Sequence, residues 1–167
     1  MQVVTLPSMM VMAIAAPVWG QDLLPVPRLR GPIVIDGRAD ETEWDRIPIL
    51  PMTVITPQYR SEPTERTEIR VAYDDEFFYV SGRMYDSDAA SVRANTLYRD
   101  AYAGDDLFSI ALDTYNDYQT ASWFVVNPGG GRIDQTLAND GERTDLPPYN
   151  LDWDTYWSAE TSRDETG

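Results

Sequence analysis

The sequence predicts an all-β fold: an antiparallel β-sandwich, immunoglobulin- or jelly-roll-like, with one short N-terminal helical turn. Apolar and polar residues alternate with period two in several short runs. Turn-forming residues punctuate those runs. Only one stretch, near residue 40, carries a helix-start signal. Repeated short strands with a single helical turn are the layer pattern of a sandwich. With 167 residues the chain has the length of one ordinary domain, and no internal repeat divides it.

Residues 1–20 read as an export signal. Met9 to Ala16 is an apolar run, and Val18-Trp19-Gly20 precedes a cut ahead of Gln21. The run is too short to span a bilayer. Met1 to Ser8 holds no Lys or Arg, so either the terminal amine alone supplies the charge or the start lies upstream; a buried N-terminal strand is the alternative. Residues 21–32 are then a linker and 33–167 the sandwich. From Gln21 to Pro63 the chain is proline-rich, which favours extended edge segments, because proline lacks a ladder donor.

Within that region Ile33-Val34-Ile35 reads as a short strand and Asp36-Gly37 as a turn. Asp40 is placed to cap a helical turn, with Glu43 in the reciprocal position of a capping box. Trp44 and Ile47 then face inward, and Pro48 stops the helix. Ile69, Val71 and Tyr73 alternate with Arg70 and Ala72, and Asp74-Asp75-Glu76 is a turn. Phe78, Val80, Gly82 and Met84 alternate with Tyr79, Ser81 and Arg83, completing a hairpin with one buried face. Asp86-Ser87-Asp88 breaks it. Phe108, Ile110 and Leu112 form the inward face of the next strand, and Thr114 to Gln119 is a polar turn leading into Ala121 to Val126. Asn127 to Gly131 connects tightly to Arg132 through Leu137, and after a loop over 139–153, residues 155–162 read as a last strand. Ser162 to Gly167 is turn-like with no return strand after it, which would leave a sandwich edge open and suggests a piece of a longer protein.

The composition excludes much chemistry. There is no His and no Cys, so no Ser-His-Asp triad, Cys-His pair or thiolate/imidazole zinc site can form. All 13 basic residues are Arg, which excludes Schiff-base chemistry and a P-loop lysine. The 28 acids give a net charge of −15, a surface that repels nucleic-acid backbones and anionic lipid and suits neutral ligands or hard cations. A glycosidase using two carboxylates is the enzymatic alternative, although no apolar pocket around one Glu is visible in the sequence.

Ile35-Asp36-Gly37-Arg38-Ala39-Asp40-Glu41-Thr42-Glu43-Trp44, the hairpin Arg70 to Val80 and the strand Asp106 to Asp113 together resemble carbohydrate-binding module family 9. Tyr98-Arg99-Asp100, Asn127-Pro128-Gly129, Asp134 and Trp153 to Trp157 are similar to a subgroup of exported bacterial proteins. In that subgroup such a module precedes a C-terminal outer-membrane-barrel-like region. The resemblance implies a non-catalytic module of the periplasm, outer membrane or secreted fraction, binding polysaccharide or oligosaccharide. In the wider family such modules are appended to glycoside hydrolases and aided by calcium. The missing barrel-like region would be its partner. A plug domain for that barrel, with no sugar ligand, is the alternative.

Sugar recognition needs flat aromatic platforms and a few polar groups that reach hydroxyls. Trp153, beside Asp152 and Asp154 at the end of a polar loop, is the leading platform, with lid packing as its alternative; Trp157, which starts the last strand and reads first as core, and Tyr149 are further candidates, whereas Trp44 and Trp123 read as core. Arg99, Asn127, Asp134 and Asn139-Asp140 are the candidate polar contacts; Arg99 with Asp100 reads equally as an internal ion pair. Calcium takes six to eight oxygens, and Asp86, Asp88, Asp105, Asp106 and Asp113 are the candidate donors, with ordinary turn acids as the alternative.

Overall fold

The computed structural model describes residues 24–101, 103–142 and 147–167. The expected export signal lies outside them. The chain is all-β: two antiparallel sheets account for its regular structure, and its only helical segments among the described residues are three-residue 3-10 turns. It divides into two compact units, each with one sheet.

The hairpin unit comprises the described part of Ile14–Ser91 together with Glu160–Gly167. Strands β1 (Thr67–Tyr73) and β2 (Phe78–Met84) pair antiparallel in the register Thr67 to Met84 through Tyr73 to Phe78. Asp74 closes the turn, accepting the Glu76 and Phe77 N–H groups at 2.8 Å each, and the Tyr79 hydroxyl donates to it at 2.8 Å. The residues expected as a linker join the fold: Leu29 donates to the Tyr73 carbonyl at 2.8 Å, and Tyr73 donates to the Pro27 carbonyl at 3.1 Å. Pro27 serves as an acceptor only, the edge role open to proline.

Three expectations are corrected here. Ile33-Val34-Ile35 forms no strand; Val34 and Ile35 are exposed, and the Val34 N–H donates to the Glu41 carboxylate. The helical turn is a 3-10 segment, Trp44–Arg46, without a side-chain cap from Asp40. Glu43 instead accepts from the Arg30 N–H at 3.1 Å and pairs with Arg46 at 2.8 Å, tying the turn to a distant segment. Trp44 and Ile47 are buried as expected, in a cluster with Leu29 and Ala72. Finally, the hairpin alternates as expected but turns its other face inward. Ala72, Glu68 and Ser81 are buried, whereas Tyr73, Phe78 and Met84 are exposed. The cause lies outside the hairpin: the Leu29, Trp44 and Ile47 cluster packs with Ala72 and Tyr79, and Arg66 and Arg70 pair with Glu68 so that its charge can be covered.

The sheet unit is the described part of Val92–Ala159. Its strands β3 (Phe108–Leu112), β4 (Ala121–Val126), β5 (Arg132–Leu137) and β6 (Tyr149–Asn150) lie side by side in that order. Ile110, Phe124 and Asp134 face one another across three strands; Val125, Ile133 and Leu137 are buried on the opposite face. The last strand is β6 rather than residues 155–162, which carry no ladder. Side chains hold that segment instead: Asp134 accepts the Thr155 N–H at 2.8 Å, and Arg132 donates to the Trp157 carbonyl at 2.9 Å.

Candidate functional site

Most of the expected polar ligand contacts are used within the sheet unit. Asp134 points from the middle of β5 and is fully buried. One oxygen accepts from Arg99 at 2.5 Å and the other from the Thr155 N–H at 2.8 Å. Arg99 also reaches Asp154 at 2.8 Å and Asp100 at 3.4 Å. The hydrogen bond to Asp154 raises the Arg99 pKa, and the nearby Asp134 and Asp100 charges add to that. In this structure Asp134 serves as a structural anchor, with both carboxylate oxygens engaged inside the unit. Arg99 forms the internal ion pair, with Asp134 and Asp154 as well as with Asp100.

Asn127 is likewise engaged inside the unit. Its amide nitrogen donates to the Thr96 carbonyl at 2.6 Å and to Asp105 at 3.1 Å, and its oxygen accepts from Gly129 at 3.0 Å and Gly131 at 2.8 Å. Two donors and two acceptors exhaust the amide. A side chain at position 131 would put its Cβ 2.9 Å from that amide nitrogen, so the close turn requires glycine there.

Trp153 and Trp157 are half-buried and meet Phe124 edge-on, with ring centres 6.1 Å and 5.2 Å away. Arg132 lies over the Trp157 ring at 5.6 Å. Both tryptophans therefore cover the Phe124 face of the sheet, and such aromatic pairs add about 0.5–1.5 kcal/mol beyond burial.

Four of the five candidate calcium donors accept backbone N–H groups. Asp86 accepts from the Asp88 N–H at 2.7 Å. Asp105 accepts from the Asn95 N–H and Asn127; Asp106 accepts from the Arg93 N–H at 2.8 Å. Burial acts to raise the Asp105 pKa, but the Asn95 and Asn127 donors outweigh it and hold the carboxyl below the ordinary range. Asp113 stands at the other end of β3, about 20 Å of extended chain from Asp106. Among the described residues no group of three acids is placed to hold a metal ion.

The remaining expected contacts lead to another place. Tyr149 pairs with Leu137 across β5 and β6, and the Asp140 N–H donates to the Gln119 carbonyl at 3.0 Å, which ties Asp140 to the turn between β3 and β4. Two carboxylates build that turn. Asp113 accepts the N–H groups of Tyr115 and Asp117 at 3.2 Å and of Tyr118 at 2.8 Å. Asp117 accepts those of Gln119 and Thr120 at 2.8 Å. These five bonds hold Asn116 and Tyr118 in the left-handed region, at φ 53° and 57°, where neither is at ease without support. The turn leaves Tyr115 81 % and Tyr118 62 % exposed. Beside Tyr115 opens a cavity of about 230 Å³, lined by the hydroxyl residues Thr114, Thr120, Ser122 and Thr136 over Leu137, with no charged side chain in its lining.

Sequence reasoning passed over Tyr115 and Tyr118 as part of a polar turn. The available signal was Asp113 and Asp117, each placed to accept the N–H two residues on, a pattern that rigidifies a turn and commits whatever side chains it carries.

An all-β protein with an aromatic, hydroxyl-lined groove at one end of its larger sheet is the class that these features define. No protein-family model, curated protein or solved structure matches the chain.

Proposed function

We propose that the chain is a non-catalytic carbohydrate-binding module of an exported protein, one that keeps a partner domain close to polysaccharide during its breakdown. The observation that carries this reading is the uncharged groove beside Tyr115 in a protein of net charge −15. The lining residues are uncharged, and the Asp113 and Asp117 carboxylates of the neighbouring turn are engaged by its own N–H groups, which favours a neutral ligand. An exposed tyrosine offers a face for sugar C–H groups, and the Thr114, Ser122 and Thr136 hydroxyls match a polyol, while Thr120 donates to Asp117 at 2.9 Å. Drug-sized ligands fill roughly 300–1,000 Å³, so a 230 Å³ cavity suits a single sugar ring. The rigid turn lowers the ordering cost of binding. The motif resemblance over residues 35–44, 70–80 and 106–113 supports the same class.

The test is affinity electrophoresis of the intact protein through gels containing xylan, mannan, β-glucan or starch, with and without chelator. Retardation by at least one neutral polysaccharide, abolished in Tyr115→Ala, is the expected result. Retention unchanged in that variant would overturn the assignment of the groove. Dependence on chelator would add calcium to the binding mechanism.

A further inference from the structure

The chain's cations are scarce, yet three of its 13 arginines line one cavity. Arg28, Arg30 and Arg46, with Glu43, Pro27 and Ile47, surround a space of about 220 Å³ in the hairpin unit. Backbone alternation explains the grouping. Residues 27–29 run extended beside Tyr73, so Leu29 turns into the core while Arg28 and Arg30, two apart, fall on the other side. Arg46 joins them from the 3-10 turn that Glu43 ties to the Arg30 N–H. Gly31 permits this tie, because a Cβ there would lie 3.2 Å from the Glu43 side chain.

The charges do not cancel. Arg28 pairs with Asp75, and Arg46 pairs with Glu43. The Arg30 guanidinium pairs with no carboxylate among the described residues. Among the described residues one positive charge is therefore left over, beside two further guanidinium groups and an apolar wall of Pro27 and Ile47. Guanidinium forks match planar oxyanions in shape as well as charge.

We propose that this pocket binds a small oxyanion, either the carboxylate of a sugar acid or a phosphate group, with Arg30 as its principal contact. The site is independent of the Tyr115 groove and goes beyond the neutral-glycan reading. A single surplus charge fits one carboxylate or one phosphate. The net charge of −15 disfavours a long polyanion over a short one.

Calorimetric titration of the intact protein tests this, using galacturonate, inorganic phosphate and neutral galactose at low salt. Heat with at least one of the two anions and none with galactose is expected, and which anion binds identifies the source. Arg30→Gln is expected to weaken that binding about tenfold, whereas Arg60→Gln, on an exposed loop elsewhere, leaves it unchanged. Raising the salt should weaken it as well. Absence of binding by either anion, or equal binding by the Arg30 variant at an unchanged unfolding midpoint, would overturn the proposal. Neither result bears on neutral-glycan retention at Tyr115.

Discussion

Arg99 donates at 2.5 Å to Asp134, a carboxylate with no exposed surface, while its own side chain stays 41 % exposed. The pair joins the loop at residues 98–100 to the middle of β5, and the Thr155 N–H adds the segment after β6. Removing Arg99 would leave Asp134 buried with one donor. We expect Arg99→Gln to lower stability by about 2–3 kcal/mol, at the lower end for broken buried pairs because Arg99 is partly solvated. Urea unfolding of the two proteins measures it; a change under about 0.5 kcal/mol would place the pair among weak surface bridges.

Asn127 separates the Asp105 carboxylate from the glycine turn. In Asn127→Asp a second carboxylate would stand near 3.1 Å from Asp105, and the donors to Thr96 and Asp105 would vanish. A loss of about 3 kcal/mol at neutral pH is expected. The deficit should shrink as the pH falls and one of the two acids takes a proton. Urea unfolding at two pH values reads both effects.

The aromatic residues divide by role. Trp153→Ala should cost about 1–3 kcal/mol in unfolding experiments, because it uncovers Phe124. Tyr115→Ala should change stability by less than about 0.5 kcal/mol, since Tyr115 is 81 % exposed. The reverse ordering would exchange their assignments.

Acid should unfold the protein through its turn carboxylates. Asp74 is held below the ordinary range by the Glu76 and Phe77 N–H groups, and Asp117 by those of Gln119 and Thr120. Asp164 is lowered by Arg83 and by Thr166. Folded values below the unfolded value of about 3.9 mean that the unfolded chain binds more protons there. Their stabilisation is thus present above about pH 4 and is lost as the pH falls through the folded values. Urea midpoints measured from about pH 5 to pH 2 should decline, and Asp117→Asn should flatten the decline.

Strand positions were legible because period-two alternation and turn acids are local signals: β1 to β5 lie where the alternation of Ile69 to Met84, Phe108 to Leu112 and Ala121 to Leu137 puts them. Which face of the hairpin turns inward was not, because Leu29, Trp44 and Ile47 decide it from other parts of the sequence. The same limit applies to Asp134 and Asn127. Their residue types suit a ligand as well as an interior partner, and only the positions of Arg99, Thr96 and Asp105 separate the two. Tyr115 and Tyr118 stood in plain view, but the rigidity of their turn comes from five side chain–backbone bonds.

Amide NMR of the isotopically labelled protein, titrated with oligomers of a retained neutral polysaccharide, tests groove binding most directly. Shifts should cluster at residues 114–122 and 136–138 and saturate. Saturating shifts at 97–100, 127–131 and 153–157, with the tyrosine turn unmoved, would contradict it.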